Sequence, residues 1–247
     1  MNVLSIDIGR TNVKFLATGQ TGRRKFPSGL AMTPERMVAG VKQMTEDWKY
    51  DVVSIGYPGR VVGDRPTTEP RNLAPGWIGF DFAAAFGRPV KVINDAEMQA
   101  LGSYNGGTML FLGLGTGLGS ALIVRGHIVS MALGALSYRT GIIEDWVGRR
   151  GLERRGKKKW RKTVDLVTAR LASALLLDDC VISGGNATKL KKLPSGCRLG
   201  VNANTFIGGF RMWEPADRLP RAREQPRPDG DGAKKATKAT NATARHS

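Results

Sequence analysis

Residues 110–123 read LFLGLGTGLGSALI. Glycine fills positions 113, 115, 117 and 119, with Thr116 among them and apolar residues on both sides. This pattern predicts a buried strand that enters a turn and leaves as a second strand. A tight hairpin needs one or two glycines. Four of them suggest a backbone brought close to something large, with successive free N–H groups forming an anion nest. A phosphate group fits that nest, and a plain β-hairpin is the competing reading.

The chain opens with MNVLSIDIGRTNVKFLATG, which repeats the arrangement. NVLSID predicts a buried strand ending at Asp7; Gly9, Arg10, Thr11 and Asn12 form a loop, and VKFLATG resumes as a strand. The carboxylate at the first strand end is a place for a hydrated Mg²⁺. Two such hairpins facing each other across a cleft would clamp the phosphates of one donor. The sequence has no GxxxxGK[ST] loop and no GxGxxG opening a helix, so the commoner phosphate-binding patterns are excluded.

The 247 residues, 41% of them hydrophobic, allow one large domain or two small ones. No apolar run is long enough for a membrane span, and the opening strand has no signal-peptide pattern, so a cytoplasmic protein is expected. Cys180 and Cys197 are too few for a disulfide framework. With only His127 and His246, a Ser-His-Asp or His-metal site is nearly excluded, and a catalytic base must be sought among carboxylates. The net charge of +17 is uneven: RRGLERRGKKKWRK (149–162) holds nine Lys/Arg against one Glu. That run is either a solvated face or a track for a polyanion. Trp160 alone argues little for nucleic acid, which prefers several stacking aromatics.

TPERMVAGVKQMTEDW (33–48) predicts a helix capped by Thr33, and DVVSIGYPG a strand and turn. RPVKVIND predicts a strand, DAEMQALGSY a helix, and residues 157–177 a basic amphipathic helix. LDDCVISGGN predicts a strand entering glycines, ATKLKKL a helix, and NANTFIGGFRMW a closing helix for the second half. Each half thus starts strand–loop–strand and continues in α/β alternation. The expected division is an N-terminal lobe over 1–105, a C-terminal lobe over 106–213, and a disordered basic tail over 214–247.

DIGRTNVK, INDAEMQALG, LGLGTGLGSALI and ISGGN, in that order, resemble the ROK family of sugar kinases, and more narrowly its polyphosphate glucokinase branch. The likeness covers about residues 1–213. It implies an α/β fold of two ribonuclease-H-like lobes, the actin-like ATPase fold, with an interlobe cleft. It implies a first phosphate loop of Asp7, Gly9, Arg10, Thr11 and Asn12, with Asp7 reaching Mg²⁺ through water. It implies a second of Gly113, Gly115, Thr116 and Gly117. Gly184, Gly185 and Asn186 would lie beside a nucleotide's adenosine; Asn94, Asp95 and Glu144 would hold the sugar. Asp95 would be the general base for a sugar hydroxyl attacking a phosphoryl group of ATP or polyphosphate. Asn94-Asp95 also suits a helix N-cap. The expected partners are a glucose-like sugar, the phosphoryl donor and a second copy of the chain, not a membrane or nucleic acid.

The chain departs from the family pattern where Glu-x-Gly-His is expected: Ala132 and Ala135 stand at its ends, although Gly134 is kept. A hydrogen bond to a charged group contributes roughly 1.5–3 kcal/mol and a neutral one about 1. Losing both sugar contacts would cost about 2.5–4 kcal/mol, on the order of a hundred- to thousandfold in kcat/KM. An impaired hexose kinase and a kinase-derived sensor of sugar, nucleotide or polyphosphate are the two readings that follow. The family's zinc-binding Cys motif is missing. Arg10 replaces the usual glycine, and would be strained if that position needed positive φ.

Overall fold

The structure, a computed structural model, describes residues 1–201 and 203–220. Two five-stranded sheets share one plan. The first sheet comprises β1 (Val3–Ile8), β2 (Asn12–Ala17), β3 (Arg24–Pro27), β4 (Val52–Tyr57) and β7 (Val90–Asn94), in the order β3-β2-β1-β4-β7. The short strands β5 (Val61–Val62) and β6 (Arg65–Pro66) form a ribbon beside it. The second sheet comprises β8 (Thr108–Leu114), β9 (Leu118–Val124), β10 (His127–Ser130), β13 (Asp179–Ser183) and β14 (Cys197–Leu199), in the order β10-β9-β8-β13-β14. In sequence between β10 and β13, β11 (Ser137–Tyr138) pairs with β12 (Gly141–Ile142). In each sheet the first three strands run antiparallel and the last two join in parallel. Both Gly-rich stretches therefore occupy the same place, the turn between the first two strands of a sheet.

Local chemistry explains the helices. In α1 (Pro34–Met44) the Thr33 side chain accepts a hydrogen bond from the Arg36 N–H at 3.3 Å, and Pro34 opens the first turn. The helix stops at Thr45, short of the expected 48. A five-residue α2 (Phe82–Phe86) leads into β7. At α3 (Asp95–Ser103), Asn94 and Glu97 form a reciprocal capping box. A short α4 (Ile143–Val147) precedes α5 (Arg149–Leu175), which breaks at Gly156, where φ is 69° and ψ 161°. The amphipathic part thus begins at 157, as its pattern predicts. The helix expected over ATKLKKL is a single 3₁₀ turn, Ala187–Lys189; Leu190 is already extended, and Pro194 follows closely.

The closing helix α6 (Asn204–Arg211) returns to the first lobe. It crosses α3 and lies on β1 and β4. Gly102 of α3 and Gly208 of α6 meet the opposing backbone so closely that a Cβ on either would overlap it. Ser54 of β4 donates its hydroxyl to the Gly209 carbonyl at 2.6 Å. Arg211 donates to the Leu101, Gly102 and Tyr104 carbonyls, closing the C-terminus of α3. α3 in turn packs Ala96, Ala100 and Leu101 against Met109, Phe111, Ala121 and Ile123 of the second sheet. One helix thus welds the two lobes. Residues 214–220, placed by the sequence in the tail, are structured: Leu219 is buried in this same core. Residues 221–247 lie outside the described residues.

Candidate active site

Asp7 is the penultimate residue of β1 and Asp95 follows β7, the two parallel strands on either side of β4. In register, Asp7 sits opposite Gly56 and Gly56 opposite Ile93. Gly56 has no side chain to separate the two acids. A Cβ there would stand 2.5 Å from the Met98 methyl and 3.5 Å from the Asp95 Cα. Lys14, directly across from Asp7 on β2, donates to Asp7 Oδ2 at 3.3 Å. Burial raises the Asp7 carboxyl above the usual range, and Lys14 opposes that shift. Asp95 is pushed up to about 7, first by burial and then by the negative charge of Asp7. Hydrogen bonding to backbone N–H groups, including Ala96 N–H at 2.9 Å, holds back part of the rise.

The first loop is closed by Gly9 N–H donating to the Asn12 carbonyl at 3.1 Å. Ser28 pins it from the end of β3, its hydroxyl on the Gly9 carbonyl at 2.6 Å and its N–H on that of Thr11 at 3.0 Å. Arg10 and Thr11 are exposed at the tip, and Asn12 opens β2 half-buried. Arg10 has a negative φ, so the expected strain does not arise.

In the second loop, Gly113 pairs with Gly119 and the Gly115 N–H donates to the Gly117 carbonyl at 3.1 Å. Nothing approaches within 4 Å of where a Gly115 Cβ would stand, so the tip is open to a ligand. Thr116 accepts the Arg149 N–H at 3.1 Å through its carbonyl, joining this loop to the start of α5. Gly184, at φ +89°, packs on Leu114, and Gly185 faces open space. Asn186 is buried, donating its amide to the Gly115 carbonyl at 2.8 Å and accepting from Lys189 Nζ at 2.8 Å. Its side chain therefore ties the two loops together.

A cavity of about 840 Å³ opens between the lobes, lined by Gly59, Arg60, Asn94, Glu97, Gly119 and Ala132 among others. The Asn94 amide lies in its wall, donating to the Gly59 carbonyl at 3.0 Å and accepting the Ala96 N–H at 2.9 Å. Ala132 lines this cavity, which Asn94 shares. Glu144 is not in its lining: the carboxylate is tucked against Gly117 and accepts the Leu118 N–H at 3.3 Å. Arg60 and Glu97 escaped sequence reading. Their signal was position, since Arg60 follows the YPG turn at the same sheet edge as Asp7 and Asp95.

The family's sequence profile, described as the ROK family, matches residues 3–136. The chain belongs to the ROK family. It is 33% identical over 148 residues to the bifunctional enzyme NanE/NanK of Brucella melitensis, covering 53% of this chain but only 28% of that enzyme. It is 26% identical over 217 residues to the polyphosphate glucokinase of Mycobacterium tuberculosis, covering 76% of this chain and 78% of that one. The crystal structure of the inorganic polyphosphate/ATP-glucomannokinase from Arthrobacter sp. strain KM matches with a TM-score of 0.70 at 24% identity, over 84% of this chain and 96% of that one. This ROK-family chain thus has the two-lobed actin-like ATPase fold. Among the described residues no helix is long and apolar enough to cross a membrane.

Trp160 is fully buried, its indole N–H on the Val147 carbonyl at 2.8 Å, so it is core and not a stacking platform. Around it Arg149, Arg150, Arg154, Lys157, Lys158, Lys159 and Lys162 are exposed. Arg139, Arg154 and Arg155 stack on the Trp146 ring at 4.9, 5.1 and 4.7 Å. This basic flank starts at the second glycine loop.

Among the described residues no three His, Cys, Asp or Glu side chains gather as a protein-only metal cage. Asp7 with its oxygen donors suits Mg²⁺, which keeps most of its waters and takes one or two carboxylates with substrate phosphates.

Proposed function

We propose that this chain is a hexose kinase that moves a phosphoryl group from ATP or polyphosphate to a hydroxyl of a glucose-like sugar. The supporting observation is Asp95, a carboxylate with its pKa raised to about 7, which directly follows the cavity-lining Asn94 and lies across Gly56 from Asp7. A base with that pKa holds its proton weakly enough to exchange it near neutral pH. Asp95 accepts the proton of the sugar hydroxyl while that oxygen attacks the terminal phosphorus; the bridging P–O bond breaks and the remaining phosphate chain leaves. Backbone N–H groups of the two glycine loops hold the phosphates. Asp7 would hold Mg²⁺, which when bound neutralises phosphate charge. Asn94 and Arg60 orient the sugar in the cavity, and the basic face of α5 receives the distal phosphates of a polyphosphate donor.

The names of the Mycobacterium and Arthrobacter relatives support the donor and sugar classes. Ala132 in the cavity wall supports an impaired sugar site. The same reading places the protein in the cytoplasm as a homodimer. The deciding experiment measures transfer to glucose from ATP and from polyphosphate with Mg²⁺, alongside Asp95→Asn. Transfer lost in the variant supports the proposal. Binding of either donor with no transfer to any hexose overturns it in favour of a sensor.

A further inference from the structure

Cys180 and Cys197 stand directly opposite each other on the parallel strands β13 and β14. Neighbouring strands lie about 4.8 Å apart, inside the Cα separation that a disulfide spans. The two side chains share one face of the sheet, since both pack into the core beneath α5. Both are free thiols. Cys180 is 3% exposed, whereas Cys197 is half-buried on the edge strand of the sheet. The pair is held in place: Arg198 grips both oxygens of Asp179 at 3.1 and 3.0 Å through Nε and donates to the Ser103 carbonyl. The neighbouring residues of the two strands are thus clamped in the register that puts sulfur beside sulfur.

We propose that Cys180 and Cys197 form a reversible redox site that a peroxide-class oxidant closes into a disulfide. Cys197 is the attacking thiol. The neighbouring Cys180 thiol lowers its pKa, against burial and the carboxylates of Asp179 and Asp165. The Cys197 sulfur beside it, and then burial, raise Cys180, which keeps its proton until the second step. The Cys197 thiolate attacks one peroxide oxygen; the O–O bond breaks, hydroxide leaves and takes a proton, and sulfenic acid results. The Cys180 sulfur then displaces the sulfenic oxygen, the S–S bond forms, and its thiol proton leaves with that oxygen as water. Two thiols and one hydrogen peroxide give one disulfide and two waters.

The bond closes a ring around the segment between the strands. That segment carries Gly184, Gly185 and Asn186, and the Asn186 amide holds the Gly115 carbonyl of the second glycine loop at 2.8 Å. Oxidation therefore restrains the segment that supports this loop. The inference does not depend on the chain being a kinase.

The test treats the reduced full chain with hydrogen peroxide, then maps peptides without reductant. The expected result is an intact mass lower by two hydrogens, simultaneous loss of both thiols from maleimide labelling, and one linked peptide pair containing Cys180 and Cys197. Dithiothreitol reverses all three. Cys197→Ser leaves Cys180 reduced, and Cys180→Ala leaves Cys197 to gain oxygen atoms. Should Cys180→Ala fail to fold, Cys197→Ser at the sheet edge carries the control. Sulfinic or sulfonic acid at Cys197 with the Cys180 thiol still countable in the unsubstituted chain overturns the proposal, as does a link between two chains. Amide exchange over 184–196 is expected to slow severalfold on oxidation; unchanged exchange overturns the restraint.

Discussion

Asp7 and Asp95 face each other across Gly56, at the ends of two parallel strands that flank a third. Their repulsion, added to burial, lifts Asp95 to about 7. The site thus holds a proton acceptor poised near neutrality beside a carboxylate whose charge Lys14 offsets at 3.3 Å.

Removing either acid separates their roles. Asp95→Asn is expected to lower kcat by about 10²–10⁴, the range for a lost general base. In carboxyl NMR of the ligand-free chain, Asp95 should titrate near 7. Asp7→Asn should move that titration to lower pH, because the charge that raises Asp95 is gone. An Asp95 titration that ignores Asp7 contradicts the pairing.

The same shifts set a stability dependence. A carboxyl whose pKa is raised on folding binds its proton more tightly in the folded state. Its stabilising contribution is therefore complete below the unfolded value of 3.8 and is lost as pH rises through about 7. Asp95→Asn should stabilise the chain at about pH 8, by about 1–3 kcal/mol, and show almost no gain near pH 4. Urea unfolding at the two pH values reads the difference directly.

The strand–loop–strand units were legible because alternation and glycine clustering act locally. Asp7 and Asp95 were legible because each ends a short apolar run. Gly56 was not: its role depends on α3 approaching β4, a contact between residues about forty positions apart. The return of α6 to the first lobe was hidden for the same reason, since Gly102 and Gly208 matter only once the helices cross. Asn186 belongs to a legible motif, yet its amide is spent on Gly115. Trp160 sits in a basic run, but the break at Gly156 turns it toward the core.

Two glycine substitutions should diverge. Gly56→Ala places a methyl 2.5 Å from Met98 and against the Asp95 backbone. Overpacking of this kind costs about 1–3 kcal/mol, and the displaced Asp95 should lower transfer as well. Gly115→Ala meets nothing in the protein, so its melting temperature should stay close to that of the parent. Its methyl occupies the open loop tip, so donor affinity should fall. A Gly115→Ala chain that binds ATP and polyphosphate normally would remove this loop from the donor site.

The basic flank of α5 predicts different salt responses for the two donors. Arg149, Lys157 and Lys158 are exposed, so their joint replacement by alanine should leave the fold intact. Polyphosphate affinity should fall and its dependence on salt become shallower, as fewer counterions are released. ATP, too short to follow the helix, should be nearly unaffected. Equal losses for both donors would place the charges at the phosphate loops instead of along a track.

The alanines at 132 and 135 give the sharpest contrast between an impaired kinase and a dismantled one. Ala132 lines the interlobe cavity, whose wall the Asn94 amide already helps to hold, and both Ala132 and Ala135 are exposed beside the buried Gly134. Longer polar side chains can therefore be added without displacing core. Ala132→Glu with Ala135→His should raise kcat/KM for glucose by about 10²–10³, the inverse of the loss expected from two missing hydrogen bonds. Ala132→Glu should supply the larger share, because a charged acceptor makes the stronger bond. The gain should appear with ATP and with polyphosphate alike, since neither substitution touches the phosphate loops. A double variant that folds but gains nothing would mean that the sugar lies elsewhere in the cavity, held by Arg60 and Glu97.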